Sequence, residues 1–402
     1  MRNSIIIKAV FLFSIIFFLS VNRVFAQIAD NYPNDVNIGN DANVIFAEMF
    51  EQGSTTTLLA GYTNVTNSSN ISFDASVPPG SLGMQSCKLT SYHTPSNLNA
   101  TEMRKRFPIG VNDSVFVRFY VKYNNDHTHH HSGIWLHGSD PSHPCFPCIY
   151  PGRIGLPPGG DSAFSLGAEL RGSVMTAQTN SRFGMYNYWT DMHPNSSDVY
   201  YGNEFINGNP NSTINTTEWN CIEVMLKLNN PVTDSSGEAK LWINGELIEY
   251  YGKGFPDGNW NELTFTQGNG QPFEGFKWRT SNAVLFNSIW IKNYSATGSS
   301  TEANDILYDH IVVAKNYIGP IYNPISTGIE SDDRKAKLAV YPNPADDIIH
   351  FSNPVKSLAV FNCYGQKVIE QADTEKFSTA GLAEGIYVLK TEIGFNKVVV
   401  RH

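Results

Sequence analysis

Three residue pairs in this chain have the types and spacing to do chemistry: Trp135-x-His137, Glu169-x-Arg171 and Tyr186-x-Tyr188. Side chains alternate between the two faces of an extended strand, so both members of each pair project from one face. Ile134 and Leu136 then point the other way. Histidine takes and gives protons near neutral pH. An arginine steadied by a neighbouring glutamate grips a carboxylate through two parallel N–H donors. A tyrosine phenol is a proton donor. If the three pairs meet, the chemistry they can do is proton transfer beside a bound anion.

Two further sets could supply that anion site. Arg118, Tyr120 and Lys122 share one face of an early strand, and Lys277, Arg279, Trp290, Lys292 and Tyr294 form a later basic and aromatic set. The net charge of −9 means that an acidic ligand needs such a local patch against the global field. The chain has no basic stripe for neutralising phosphates, which argues against a nucleic-acid partner. His127, His129, His130, His131, His137 and His143 crowd before Cys145 and Cys148. Histidine and cysteine are zinc ligands, and Pro144-Cys145-x-x-Cys148 matches half of the zinc deaminase signature. The His-x-Glu half is missing, so a Cys145–Cys148 bridge or plain thiols rank above zinc. Five cysteines leave one unpaired, and Cys145–Cys148 with Cys87–Cys221 is one available pairing.

The elements that must hold these residues are strands. Val115, Val117, Phe119 and Val121 alternate with Phe116, Arg118, Tyr120 and Lys122. Phe164 to Leu170 and Ile222 to Leu228 repeat the pattern. Leu241-Trp242-Ile243 runs into Asn244-Gly245, a tight-turn pair, and out through Glu246-Leu247-Ile248. Residues 284–291 and 306–314 read as further strands, and amphipathic helical stretches are nearly absent. Many short strands separated by Gly, Asn and Pro turns predict an antiparallel β-sandwich, with 138–160 and 190–215 as loops over one rim. The 41% hydrophobic and 12% aromatic content is enough to build a core.

Both ends read as export addresses. Residues 1–26 combine basic Arg2 and Lys8, an apolar run over 9–21, and Val24-Phe25-Ala26 before Gln27, which is the pattern of a secretory signal peptide. Residues 27–44 read as an extended lead, 45–320 as the main domain, and 321–337 as a linker. The tail, 338–402, carries Tyr341-Pro342-Asn343-Pro344, Tyr364-Gly365-Gln366-Lys367, Gly385-Ile386-Tyr387 and Lys397-Val398-Val399-Val400. It resembles the type A C-terminal sorting domain of the type IX secretion system of Bacteroidetes. The resemblance implies a small β-sandwich recognised by that secretion machinery, transit through the periplasm, and a secreted or outer-surface destination.

The middle resembles, by pattern, the jelly-roll polysaccharide lyases of the alginate and glucuronan lyase type. The segments that carry this are residues 219–248, residues 164–188 and Asp305 to Pro320. The resemblance implies a concanavalin A-like β-jelly-roll and β-elimination on a uronate-containing polysaccharide. That reaction neutralises the C6 carboxylate, removes the C5 proton and protonates the leaving oxygen. His137 is the expected base, Arg171 oriented by Glu169 the carboxylate neutraliser, and Tyr188 or Tyr186 the acid. Trp135, Arg118, Tyr120, Lys122, Arg279 and Lys292 are expected to bind substrate. The family often places Gln-x-His where this chain has Trp135-x-His137, and a Tyr-x-Lys-x-Gly run that this chain lacks. The resemblance further implies a structural Ca2+ held by Glu51 and Asp309, and no organic cofactor. Glu169, Glu223 and Glu246 stand isolated rather than as a close carboxylate pair, which ranks a glycoside hydrolase below a lyase. A non-catalytic carbohydrate-binding protein on the same fold is the alternative reading.

Overall fold

The structure is a computed structural model that describes residues 27–94, 97–98, 100–123, 128–129, 131–142, 155–171, 175–176, 179–294, 303–323, 338, 340–362, 367–392 and 395–402. The proposed signal peptide, Cys145, Cys148, Cys363 and every histidine of the run before them except His131 and His137 lie outside the residues whose side chains are described. Two compact units divide the chain, residues 1–322 and 323–402.

The larger unit is a jelly-roll sandwich of two antiparallel-rich sheets, one of nine strands and one of eleven. The expected alternation is realised as Ser114–Tyr123, Ala163–Leu170, Asn220–Lys227, Leu285–Tyr294 and Ala303–Ala314. The hairpin Glu238–Ile243 to Glu246–Tyr251 turns at Asn244 and Gly245, with φ of 51° and 85°. Those positive values explain the Asn-Gly pair there.

One core lies between the sheets. Val117, Phe119 and Val121 of the nine-stranded sheet face Ile134, Leu136, Leu166 and Phe183 of the other. Phe119 meets Phe183 at 6.5 Å between ring centroids. Because side chains alternate, this inward set fixes which residues face outward on each sheet. Cys87 points into the core, whereas Cys221 sits by Arg118 and Tyr120 on the opposite side of its sheet. Both are buried free thiols, so the Cys87–Cys221 bridge does not form.

Residues 27–44 are not an extended lead. They coil through short 3-10 turns at Ile28–Asn31, Pro33–Asp35 and Ile38–Asn40. Ile28 and Ile38 pack against Val312, Ala314 and Ile318, and Asp35 pairs with buried Arg118 at 2.5 Å. The apolar residues in this polar segment thereby cover part of the outer face of the nine-stranded sheet.

The smaller unit has a five-stranded sheet that includes Ile348–Phe361, Lys367–Ser378, Gly385–Thr391 and Phe395–Val400. It closes on its own core of Ile349, Phe351, Val360, Leu389 and Val400, among others. Among the described residues no helix is long and apolar enough to cross a membrane.

Candidate functional site

The candidate site lies on the face of the eleven-stranded sheet that points away from the core. Five neighbouring strands build it, in the order Ala100–Val111, Leu285–Tyr294, Gly133–Ser139, Ala163–Leu170 and Thr179–Tyr188. Register puts Arg104 beside Trp290, Trp290 beside Trp135, Trp135 beside Gly167, and Gly167 beside Tyr186. Directly paired residues share a face. Trp135, His137, Glu169, Arg171, Tyr186 and Tyr188 therefore come together; spacing gave the shared face of each pair, and strand order brings the three pairs side by side.

Trp135 is the centre of the cluster. Its ring lies 5.3 Å from His131, 6.2 Å from His137, 5.8 Å from Tyr186, 6.4 Å from Tyr188 and 6.1 Å from Trp290. A Cβ on Gly167 would lie 2.6 Å from that ring, so only glycine lets the indole lie across the neighbouring strand. Trp135 is buried, which makes it a packing hub rather than an open stacking platform.

Glu169 anchors one side. Its carboxylate accepts from the Trp135 indole at 2.7 Å and from Arg171 at 3.2 Å, and it pairs with His131 Nδ1 at 2.9 Å. Burial pushes its pKa up, but His131, Arg171 and Lys292 outweigh that and hold it at about 2. Arg171 also pairs with Glu204 of the Asn203–Ile206 strand and lies 5.0 Å over the Tyr186 ring. Two carboxylates thus occupy the guanidinium, which is a poor arrangement for gripping a third.

The other side carries the cations. Lys292 Nζ lies 4.0 Å from the Trp290 ring centroid and 4.3 Å from that of Trp135, while the Arg104 guanidinium lies 4.6 Å over Trp290. Burial lowers the Lys292 pKa, against Glu102 and Glu169, which raise it. His137 sits 5.5 Å from the Trp290 ring and is 3% exposed, and among the described residues neither ring nitrogen has a hydrogen-bond partner. Burial, then Arg104 and Lys292, drive its pKa well below the usual histidine range. The imidazole is therefore neutral at pH 7 and keeps a lone pair for a proton. Tyr186 and Tyr188 contact each other at 5.6 Å, and burial is the main cause that raises both phenol pKa values. Both phenols are held in their proton-donating form.

Four expected substrate-binding residues lie elsewhere. Arg118, Tyr120 and Lys122 belong to Ser114–Tyr123 in the nine-stranded sheet and face away from the core there. Arg118 is fully buried on Asp35, and the Tyr120 hydroxyl accepts from the Ile321 amide at 2.9 Å. Alternation gave their common face correctly, but not which sheet they join. Arg279 is fully buried outside the strands, donating to the Val284 carbonyl at 2.9 Å.

The sequence reading missed Arg104, Glu102 and Glu204, together with the role of His131 as a partner of Glu169, while it placed Trp290 in the basic and aromatic set. A signal was present: Glu102-Met103-Arg104 repeats the Glu-apolar-Arg pattern of Glu169-Leu170-Arg171. Glu204 carried none, because its role comes from a cross-strand pairing with Tyr186.

Glu51 and Asp309 lie apart from this cluster. Asp309 Oδ2 is buried with no hydrogen-bond partner among the described residues. Burial, then Glu51, push the Asp309 pKa up to about 8. Glu51 Oε1 accepts from the Met84 amide at 3.0 Å and from the Gln85 amide at 3.3 Å. Among the described residues no cluster of three or more His, Cys, Asp or Glu side chains is placed to hold a metal ion. Any cation here would therefore draw the rest of its shell from carbonyl, amide or water oxygens, which suits a hard ion.

With this geometry in view, the comparisons with known proteins are specific for the tail. Residues 339–401 match the family of secretion system C-terminal sorting domains. The C-terminal unit is a type IX sorting domain. The sorting domain implies contact with the secretion machinery and a secreted or surface-attached protein. No curated protein matches the chain by sequence. Among solved structures, the chain is similar to an endo-β-1,4-glucuronan lyase from Trichoderma reesei, with 12% identity, 68% of this chain and 96% of that chain covered, and a TM-score of 0.38. An alginate lyase from Chlorella virus gives 14% identity, 68% and 100% coverage and a TM-score of 0.39. A laminarinase from a Flavobacterium species gives 10% identity, 67% and 99% coverage and a TM-score of 0.34. Likeness at this level decides neither substrate nor mechanism.

Proposed function

We propose that the larger unit binds an acidic polysaccharide and cleaves it by β-elimination next to a uronate. The observation that carries this reading is His137: buried, neutral, with neither ring nitrogen hydrogen-bonded among the described residues, and flanked by the Arg104 and Lys292 cations. Arg104 and Lys292 offset the C6 carboxylate charge, which makes the C5 proton acidic. His137 takes that proton. A C4=C5 double bond forms as the C4–O bond breaks, and the leaving oxygen takes a proton from Tyr188 or from Tyr186 beside it. Arg171, originally expected to neutralise the carboxylate, instead positions Glu169 and, through it, Trp135.

The test is a panel of alginate, glucuronan and pectic chains followed by ultraviolet absorbance, since the unsaturated product absorbs. A rise that disappears in His137→Ala supports the reading. Retained binding with no rise for any chain would replace it with the non-catalytic carbohydrate-binding reading.

We further propose that Glu51 and Asp309 help to hold a structural Ca2+. The support is the buried, unpartnered Asp309 oxygen and its repulsion by Glu51.

A further inference from the structure

The outer face of the nine-stranded sheet carries an open cleft of about 1720 Å³, remote from His137. Phe116, Trp242 and Tyr317 are among the residues that line it. The Trp242 and Tyr317 rings lie 5.1 Å apart, and Phe116 and Trp242 6.1 Å apart. All three are half-buried rather than sealed. They face outward because Val115, Val117, Leu241 and Ile243 take the inward positions of the same strands. Asn43, Asn112, Asn230 and Asn316 line it as well.

Charge in the cleft is largely cancelled. Lys227 pairs with Glu238 at 2.7 Å, and Lys240 shares that carboxylate at 3.8 Å. Asp30 and Asp113 line the cleft together with Lys315, and Asp113 acts on Lys227. A polyanion thus gains little here, in contrast to the cation-flanked His137 face. The volume exceeds the roughly 300–1,000 Å³ of small-molecule pockets, which suits a segment of chain. Half-exposed rings beside amides match a ligand with apolar C–H faces rimmed by hydroxyls.

We propose that this cleft is a second saccharide site that binds a stretch of uncharged sugar residues of a polysaccharide, independently of the His137 face. Affinity electrophoresis of the full chain through gels containing laminarin, galactomannan or xylan tests this. At least one gel must retard the parent and His137→Ala equally. Binding must persist from low salt to about 0.5 M salt, where surface charge attraction is screened.

The double variant Trp242→Ala/Tyr317→Ala should weaken binding by about tenfold or more, on the scale of aromatic contacts. Trp242→Phe should retain most of it. Asn112→Ala/Asn316→Ala changes only exposed residues and so guards against misfolding. It should weaken binding by about threefold or more, as expected for lost hydrogen bonds. No retardation of the parent by any of the three polymers, or unchanged binding by the double aromatic and double amide variants, overturns the proposal. Absence of lyase activity leaves it standing, because its readout is binding at a different face.

Discussion

The indole nitrogen of Trp135 donates to Glu169 Oε2 at 2.7 Å across two adjacent strands. This bond commits the one polar atom of Trp135 to the protein, so it is not available to a sugar carboxylate. It also ties the His137 strand to the carboxylate that holds His131 and Arg171. The site therefore divides into a braced acidic side and a cationic side, with His137 on the cationic side.

His137→Ala is expected to lower kcat by about 100-fold or more, the usual contribution of a general base. The fold should be retained with a modest fall in melting temperature, since His137 makes no hydrogen bond among the described residues and truncation removes only its ring contacts with Trp135 and Trp290. Initial rates of absorbance increase and a thermal melt check both halves.

Arg104 and Arg171 are expected to fail differently. Arg104→Ala should reduce kcat by about 100-fold while the fold is retained, as for loss of an electrostatic stabiliser. Arg171→Ala removes one of three partners of buried Glu169 and the Glu204 pairing, and should cost about 1–3 kcal/mol of stability. Urea unfolding of the two variants beside their kinetics separates the roles. Equal kinetic and stability losses in both variants would contradict the division of the site.

Trp135→Phe keeps a ring but removes the donor to a buried carboxylate. The expected loss is about 1–3 kcal/mol of stability, measurable by denaturant midpoint.

Stability should fall as pH rises when divalent cations are chelated. Burial is the main cause that lifts the carboxyls of Asp309 and Glu249 to about 8 and that of Glu223 to about 7. In the unfolded chain such groups titrate near 4. Folded pKa values above unfolded ones favour the fold in the protonated form, so stability is full below about pH 4 and is lost progressively up to about pH 8. Glu169, held at about 2, has the opposite sign but acts below this window. Burial lowers the pKa values of His137 and His310, so they too have the opposite sign and offset the carboxyls below about pH 6.5, the unfolded histidine value. Melts with EDTA should be higher at about pH 6.5 than at about pH 8, and Ca2+ should raise the melt at about pH 8 more than that at about pH 6.5. Equal Ca2+ effects at both values would remove Glu51 and Asp309 as ligands.

Arg118→Met should leave KM for any cleaved chain unchanged, because its strand lies in the other sheet. It should destabilise the fold, because Asp35 Oδ2 loses the buried Arg118 donor and, among the described residues, keeps only His310 Nδ1 as a side-chain partner.

Alternation along single strands was readable from the chain alone. It gave the sandwich, the inward sets, and the shared faces of Trp135 with His137, Glu169 with Arg171 and Tyr186 with Tyr188. The tail motifs gave the sorting domain in the same way, since they are local and ordered. Period two is a property of one strand; it says nothing about which strand lies next to it. Arg104 reaches the site only because Ala100–Val111 pairs with Leu285–Tyr294, which in turn pairs with Gly133–Ser139. Arg118 misses it because Ser114–Tyr123 joins the opposite sheet. Whether an arginine is held by two glutamates or stands beside a bare histidine depends on contacts between residues far apart in the chain, and only the packed sheets decide that.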